Sequence, residues 1–149
     1  MASRTRIANE AWEALFRAQA TVMRELIAAD VWGELSPSEY GVLYALSNAP
    51  DGLRVTELMG DALLTQGGVS RLVARLEAAG LVERASDPDD GRAARIRLTD
   101  AGTDAQRSVG LRHGHDVAQI MTRNLSVEQL LQLRDLCQTL IATTESART

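Results

Sequence analysis

Apolar side chains recur at helical spacing along most of the chain and predict a mainly helical protein. The first such segment covers residues 7–29. Ser36-Pro37-Ser38-Glu39 then has the form of a capping box with proline at the first helical position, which predicts a helix to about Ser47. The turn-forming residues 48–52 are expected to end this second helix.

Two shorter helices are predicted next, with Thr56 and Thr65 as their N-caps. The first is expected to run to Leu63, and the second to Gly80, because glycine suits the left-handed end of a helix. In the second of these helices the apolar residues share one face, which is expected to be buried. They are Val69, Leu72, Val73 and Leu76.

A β-hairpin is predicted directly after that helix. Residues 81–84 can form a short strand, residues 87–91 are dense in turn formers, and residues 93–98 alternate small or apolar with basic side chains. Arg92 therefore lies at the tip of the loop. A short helix followed by a hairpin with a basic tip is typical of a winged helix-turn-helix, in which the helix enters the major groove of DNA and the wing reaches a minor groove.

Two longer helices complete the predicted fold. Thr99 is expected to cap a helix to about Arg123, and Ser126 with Gln129 forms a capping box that opens a helix to about residue 144. The predicted fold class is mainly α with a small β-hairpin wing (α+β), in a single domain over residues 1–149. The winged helix-turn-helix core is expected at about 36–98, between dimerisation helices at about 7–30 and 99–144.

From about Trp12 to Leu140 the chain resembles the MarR family of bacterial transcriptional regulators. The most specific part of this resemblance is RLVARLEAAGLVER at residues 71–84, followed by DPDDGR at 87–92 and LTDAG at 98–102. The resemblance implies a DNA-binding homodimer, in which an arginine of the wing enters the minor groove and is held by an aspartate of the preceding turn. It also implies that small aromatic or phenolic effectors bind between the dimerisation helices and the winged core.

The first two turns of the helix over residues 65–79 are the predicted base-reading segment. Gln66 can pair with adenine, Arg71 can pair with guanine, and Ser70 can contact a base or a phosphate. Gly67 and Gly68 depart from the polar residues usual in the family, and this departure removes two possible base contacts. The full predicted DNA-binding set is Thr65, Gln66, Gly67, Gly68, Ser70, Arg71, Arg75, Asp90, Arg92 and Arg95.

In the wing, Arg92 is the candidate minor-groove residue, because a narrow minor groove concentrates negative potential that a guanidinium can enter. Asp90, two residues earlier, is the aspartate expected to hold it. Arg95 and Arg97 alternate with small or apolar residues, so they are expected to face away from the core and to touch phosphates. A solvated surface charge is the alternative for each of these arginines.

Composition and charge agree with a globular protein, since 45% of the residues are hydrophobic and the net charge is −4. DNA-binding domains are commonly basic, but residues 65–98 hold six arginines against five acids, so the acidity lies mainly elsewhere. The 16 basic residues are all arginine, which suits bidentate contacts to phosphate and guanine and also fits a GC-rich genome. With no apolar leader, no membrane-length apolar stretch and one cysteine, a cytoplasmic protein without an intrachain disulfide is expected.

The last predicted helix carries a wide apolar stripe, and the first carries an aromatic-rich one. The stripe of the last helix consists of Leu130, Leu133, Leu136, Cys137, Leu140 and Ile141. A small winged core cannot cover both stripes, so a second copy of the chain is expected to pack on them in a two-fold dimer. Cys137 is interpreted as a packed apolar residue, with redox sensing as the alternative.

Four of the five aromatic residues are singled out here, and all four lie in the N-terminal third: Trp12, Phe16, Trp32 and Tyr40. They are interpreted either as core residues or as the lining of the effector pocket. His113 and His115 lie two residues apart, which on a helix places them on different faces, so a metal site is not expected. No other cofactor is expected.

The sequence contains no nucleophile elbow, P-loop or dinucleotide fingerprint, and an enzyme is not expected. The pattern favours a ligand-responsive, DNA-binding transcriptional regulator, a repressor that acts as a homodimer on a pseudo-palindromic operator. Two alternatives stay open. One is a winged-helix protein-interaction module that binds no DNA, and the other is a redox-sensing regulator that acts through Cys137.

Overall fold

The computed structural model describes residues 3–62 and 66–146, which divide into two compact units between His113 and Gly114. The predicted fold class, mainly helical with a small antiparallel sheet, is confirmed. Within the described ranges, no helix combines the length and apolar character needed to cross a membrane. The elements are α1 (Arg4–Ala28), α2 (Pro37–Ser47), β1 (Leu53–Arg54), α3 (Val55–Ala62), α4 (Gln66–Ala78), β2 (Val82–Ser86), β3 (Ala94–Leu98), α5 (Asp100–Thr122) and α6 (Val127–Ser146).

Both predicted capping boxes are confirmed. Ser36 Oγ accepts a hydrogen bond from Glu39 N at 3.1 Å, and Glu39 Oε2 accepts one from Ser36 N at 2.9 Å. Ser126 and Gln129 form the same reciprocal pair before α6. Each box satisfies amides that the first turn of a helix leaves without an intrahelical partner.

The start of α3 differs from the sequence prediction. Thr56 is not its N-cap, because the helix already begins at Val55. Glu57 Oε2 accepts a hydrogen bond from Arg54 N at 2.7 Å and so holds the start of the helix. The predicted cap Thr65 and the predicted helix end Leu63 lie outside the described residues.

The hairpin is confirmed and belongs to a three-stranded antiparallel sheet with the order β1-β3-β2. Val82 pairs with Leu98 at the base of the hairpin, and Ser86 pairs with Ala94 next to the turn. β1 adds a pairing of Leu53 with Ile96 on the other side of β3. The sequence does not predict β1, because two residues are too few to show an alternating pattern.

The core of the first unit lies between α2, α3, α4 and the sheet. The predicted buried face of α4 is confirmed, since none of its four apolar residues is more than 6% exposed. Burial of one such side chain stabilises the fold by about 1.5–3 kcal/mol. The residues packed with this face are Val42, Leu43, Leu46, Leu58, Val82 and Ile96.

The end of α4 and the start of α5 are joined through Leu81 and Thr99. Gly80 has a φ of +74° in a Schellman motif, in which Leu81 N donates to Leu76 O at 2.9 Å. Leu81 O accepts a hydrogen bond from Thr99 N at 3.1 Å. Thr99 Oγ1 accepts from Gly102 N at 3.0 Å and donates to Gly80 O at 2.6 Å. The predicted cap at Thr99 and the predicted helix end at Gly80 are both confirmed.

The second unit contains the end of α5 and all of α6. Several apolar side chains of α6 are exposed, among them Val127, Leu131, Leu133, Leu136 and Ile141. Cys137 is partly buried and carries a free thiol. Its interpretation as a packed apolar residue, with redox sensing as the alternative, stays a prediction.

Candidate nucleic-acid interface

The outer side of α4 carries the residues that the sequence predicts to read bases. Arg71 is exposed, and its Nη2 lies 3.9 Å from the position that a Cβ on Gly67 would take. A Cβ at this position would therefore meet the Arg71 guanidinium at an ordinary van der Waals distance. Gly68 and Ser70 are partly buried, whereas Thr65 lies outside the described residues. Gln66 begins the helix.

Arg75, further along α4, forms an ion pair with α2. Its Nε lies 3.0 Å from Glu39 Oε1, and the other oxygen of this carboxylate closes the α2 capping box. The Arg75 side chain is still 62% exposed, so a phosphate can reach it. The pair also ties α4 to the start of α2.

Asp87 lies at the wing base, which is the region where β1, the turn of the wing and β3 meet. Its side chain has no exposed surface, and its Oδ2 accepts a hydrogen bond from Arg54 Nε at 2.6 Å. The same oxygen lies 3.3 Å from Arg95 Nε, and Oδ1 accepts a hydrogen bond from Asp89 N at 2.9 Å. Asp87 thus connects β1, the wing turn and β3. Sequence analysis missed this residue, because 33 positions separate it from Arg54 and no local pattern joins them.

The hydrogen bond from Arg54 lowers the pKa of the Asp87 carboxyl from 3.8 to about 2. The backbone N–H of Asp89 and the charges of Arg54 and Arg95 act in the same direction, because each favours the ionised carboxyl. The Arg54 pKa is raised by the same hydrogen bond. The wing base therefore keeps its charges over the whole neutral and mildly acidic range.

We expect Asp87→Asn to lower the melting temperature at neutral pH, and this difference from the parent protein to shrink as the pH falls from about 4 towards 2. A carboxyl whose folded pKa is depressed stabilises the fold above its unfolded pKa, and this stabilisation is lost as the pH falls through the folded pKa. Thermal unfolding followed by circular dichroism at several pH values measures the effect. Asp89→Asn is the control, because the Asp89 side chain lies in the same turn and is exposed. A difference that does not change with pH would contradict the assignment.

Arg95 does not project freely into solvent, contrary to the expectation of an open strand face, and its contact with phosphate stays a prediction. Only 23% of its side chain is exposed. Besides its contact with Asp87, its Nη1 donates to Gly52 O at 3.2 Å. Both contacts hold Arg95 at the wing base. Arg97 is more exposed, at 47%, and its Nη2 lies 3.1 Å from Glu83 Oε1.

At the wing tip, the prediction that Asp90 holds the Arg92 side chain is wrong. Asp90 Oδ1 accepts a hydrogen bond from the backbone N of Arg92 at 3.0 Å, and Asp90 O accepts one from Ala93 N at 3.0 Å. Asp90 therefore shapes the loop, because an aspartate that binds the amide two residues on closes an Asx turn. The Arg92 side chain is exposed at the tip. The turn aspartate that binds arginine side chains is Asp87.

Trp32 and Tyr40 are buried, with ring centroids 5.6 Å apart. The ring of His113 packs against both, at 4.9 Å and 5.3 Å. Trp32 Nε1 donates to Leu26 O at 3.0 Å, so the polar edge of this indole is satisfied within the fold. Over the described part of the chain, no three His, Cys, Asp or Glu side chains are placed to hold a metal ion.

A concave site of about 370 Å³ adjoins this buried pair at Tyr40. Burial raises the pKa of the Tyr40 hydroxyl, so this group stays a neutral donor. Trp12 and Phe16, exposed on α1 with ring centroids 6.0 Å apart, are not part of the lining. The structure therefore separates the four predicted effector residues into a buried and an exposed pair. The lining consists of Tyr40, Tyr44, Gln106, Arg107, Gly110 and Leu111.

The sequence profile of the MarR family matches residues 34–93, which span α2, β1, α3, α4 and the wing up to its turn. Over this segment the chain is similar to the MarR family. The multiple antibiotic resistance protein MarR of Salmonella typhimurium is 29% identical over 75 residues, which cover 50% of this chain and 52% of that protein. The chain thus matches about half the length of its curated relatives.

Solved structures of family members extend the likeness to nearly the whole chain. Sco3205, a MarR family transcriptional regulator from Streptomyces coelicolor in complex with DNA, is 26% identical with a TM-score of 0.75, covering 95% of this chain and 88% of that one. The PcaV regulator from Streptomyces coelicolor, in complex with its natural ligand, has a TM-score of 0.66 over 97% and 98% of the two chains. At 24% identity, the likeness to PcaV shows the fold alone.

Proposed function

We propose that this protein is a transcriptional regulator that binds a pseudo-palindromic operator as a homodimer and represses until an effector releases it. The observation that carries the proposal is a contrast among the arginines of the winged core, residues 36–98. Arg71 on α4 and Arg92 at the wing tip are exposed, and no carboxylate partner for either is found among the described residues. The arginines at 54, 75, 84, 95 and 97 each pair with a carboxylate. The similar protein Sco3205 is in complex with DNA.

Dimerisation is supported by apolar side chains that the single chain leaves exposed. On α1 these include Trp12 and Phe16, and on α6 they include Leu133, Leu136 and Ile141. Packing against a second copy would bury these groups and set two reading helices about one DNA turn apart. Analytical ultracentrifugation tests the dimer, and a monomer at micromolar concentration would contradict it.

We expect Arg92→Ala to weaken DNA binding without lowering stability, because a side chain at a loop tip contributes little to the core. Arg71→Ala should instead relax sequence preference, at a cost of about 1–3 kcal/mol if Arg71 pairs with a base. Fluorescence anisotropy with a duplex from the DNA flanking the gene and with an unrelated duplex measures both effects. Arg97→Ala, in the same hairpin and paired with Glu83, is the matched control.

If the Arg71 and Arg92 variants bind both duplexes as tightly as the parent protein, α4 and the wing are not the DNA site. A parent protein that binds neither duplex at low salt would favour the alternative of a protein-interaction module. Mobility-shift assays at a stated salt concentration distinguish the two results, because phosphate contacts make the affinity depend strongly on salt.

The proposed effector is a small aromatic or phenolic acid, bound at the concave site beside Tyr40. Tyr44 and Leu111 offer an apolar wall, and Arg107 offers a cation for a carboxylate. PcaV has a natural ligand in its structure. A 100-fold loss of DNA affinity would need a coupling free energy of about 2.7 kcal/mol between the two sites.

Addition of salicylate should change the fluorescence of Trp32, which lies 5.6 Å from Tyr40, more than that of Trp12. Trp12→Phe leaves Trp32 as the only tryptophan and isolates its signal. If millimolar salicylate and related phenols alter neither this fluorescence nor DNA affinity, the aromatic effector is rejected. The DNA-binding proposal does not depend on that result.

A further inference from the structure

A cleft of about 470 Å³ lies between the wing and the start of α3. Three guanidinium groups and no carboxylate line it. Two neighbouring clefts along the sheet each include acids, namely Glu83 in one and Asp51 with Asp89 in the other. Of these three clefts, the one between the wing and α3, here named the wing cleft, is therefore the cationic one. Its lining consists of Arg54, Val55, Thr56, Arg84, Arg92, Ala93 and Ala94.

Carboxylates outside the lining hold two of the three arginines in place. Arg54 Nε donates to Asp87 Oδ2 at 2.6 Å, and Arg84 Nε donates to Glu77 Oε2 at 2.9 Å. A guanidinium has five N–H donors, so a single bond through Nε leaves the Nη donors for another anion. Both side chains stay accessible, with 38% of Arg54 and 44% of Arg84 exposed.

The third arginine connects the wing cleft to the tip of the wing. The Arg92 backbone is fixed by Asp90 at 3.0 Å, while its side chain is exposed. The first residues of α3 form the opposite wall. The wing cleft thus presents fixed cationic groups over a space that exceeds the size of one phosphate.

We propose that the wing cleft seats a backbone phosphate of bound DNA, with Arg54 and Arg84 as the contacting residues. This inference rests on the proposed function, because it assumes that the wing lies on DNA. Arginine forks match the oxygens of a phosphate, and contacts to the backbone set the position of a protein on the duplex without reading sequence. Arg54 and Arg84 therefore anchor the strand next to the groove that Arg92 enters.

Arg84→Gln and Arg97→Gln form a matched pair that tests the wing cleft. Both arginines lie on strands of the hairpin, and each pairs with a glutamate, at 2.9 Å and 3.1 Å. Their exposed fractions are 44% and 47%, and each substitution removes one positive charge. Only Arg84 lines the wing cleft. Any difference between the two variants therefore reports on the cleft and not on net charge.

Affinity is measured for the operator duplex and for an unrelated duplex over about 50–200 mM salt. We expect Arg84→Gln to lower the affinity for both duplexes by the same factor, about tenfold near 0.1 M salt. The substitution should also reduce the slope of log affinity against log salt by about 1 per protomer. Arg97→Gln should reduce the slope less than Arg84→Gln does, because Arg97 does not line the wing cleft. Arg84→Lys, which keeps the charge, should keep the slope, and melting curves confirm that each variant is folded.

Equal slopes for Arg84→Gln and Arg97→Gln would overturn the phosphate seat while leaving DNA binding intact. A loss confined to the operator duplex would also overturn it, because that result indicates a base contact. If the parent protein itself binds neither duplex, the proposed function fails and the inference fails with it. The three results are distinguishable in one set of titrations.

Discussion

Gly102→Ala should destabilise the protein by at least about 3 kcal/mol, although alanine is the better helix former by about 1 kcal/mol. A Cβ on Gly102 would lie 1.8 Å from Leu81 O and 2.8 Å from the Leu81 carbonyl carbon. These are backbone atoms, fixed by the hydrogen bonds of Leu81 to Leu76 and Thr99. The start of α5 would have to move away and lose the Thr99 cap, which adds about 0.5–2 kcal/mol to the cost of the clash.

Gly114→Ala in the same helix is the matched control, because a Cβ at that position meets nothing within 4 Å. It should stabilise the protein by up to about 1 kcal/mol. Urea unfolding of both variants measures the free energies of unfolding. If Gly102→Ala is as stable as Gly114→Ala, the close contact between Leu81 and α5 does not exist in solution.

Operator affinity of the parent protein should fall by roughly 10³ to 10⁵ between 50 and 200 mM salt, which corresponds to about 6–10 phosphate contacts per dimer. The chain has a net charge of −4, so its overall charge repels DNA and attraction must arise from a local group of arginines. Phosphates can reach Arg54, Arg75 and Arg84, and the dimer doubles these three to six, at the lower end of that range. Anisotropy titrations at several salt concentrations measure the slope.

An unrelated duplex provides the reference for this salt series, since phosphate contacts are common to all sequences. The two slopes should be similar, while the operator should bind more tightly at every salt concentration. A slope that corresponds to only one or two phosphates would contradict the docking of both α4 and the wing.

Much of the fold could be predicted because its signals are local. The capping boxes at Ser36 and Ser126 each lie within four residues, and the buried face of α4 follows from helical spacing. Gly80 marks a helix end because few other residues adopt its positive φ. In each case the physical cause and the sequence pattern have the same short range.

The wing base could not be predicted, because its contacts join distant parts of the chain. Alternation along β3 places Arg95 and Ile96 on opposite faces of the strand. It does not show that Asp87 and Gly52 O hold the Arg95 guanidinium. Arg54 lies in a strand of two residues and 33 positions from Asp87. Asp90 was the nearer aspartate to Arg92, yet its carboxylate binds an amide. A sequence pattern indicates only such local pairs, whereas Asp87 binds Arg54 through tertiary packing.

The order of the sheet also bears on how these molecules behave when crowded. β1 and β2 are its two edges, and edge strands offer unpaired backbone groups to other chains. β1 is only two residues long, and β2 carries the charged side chains Glu83 and Arg84, which are about half exposed. Short and charged edges discourage strand addition between molecules. Wings on neighbouring operators can therefore lie close together without seeding β-aggregation.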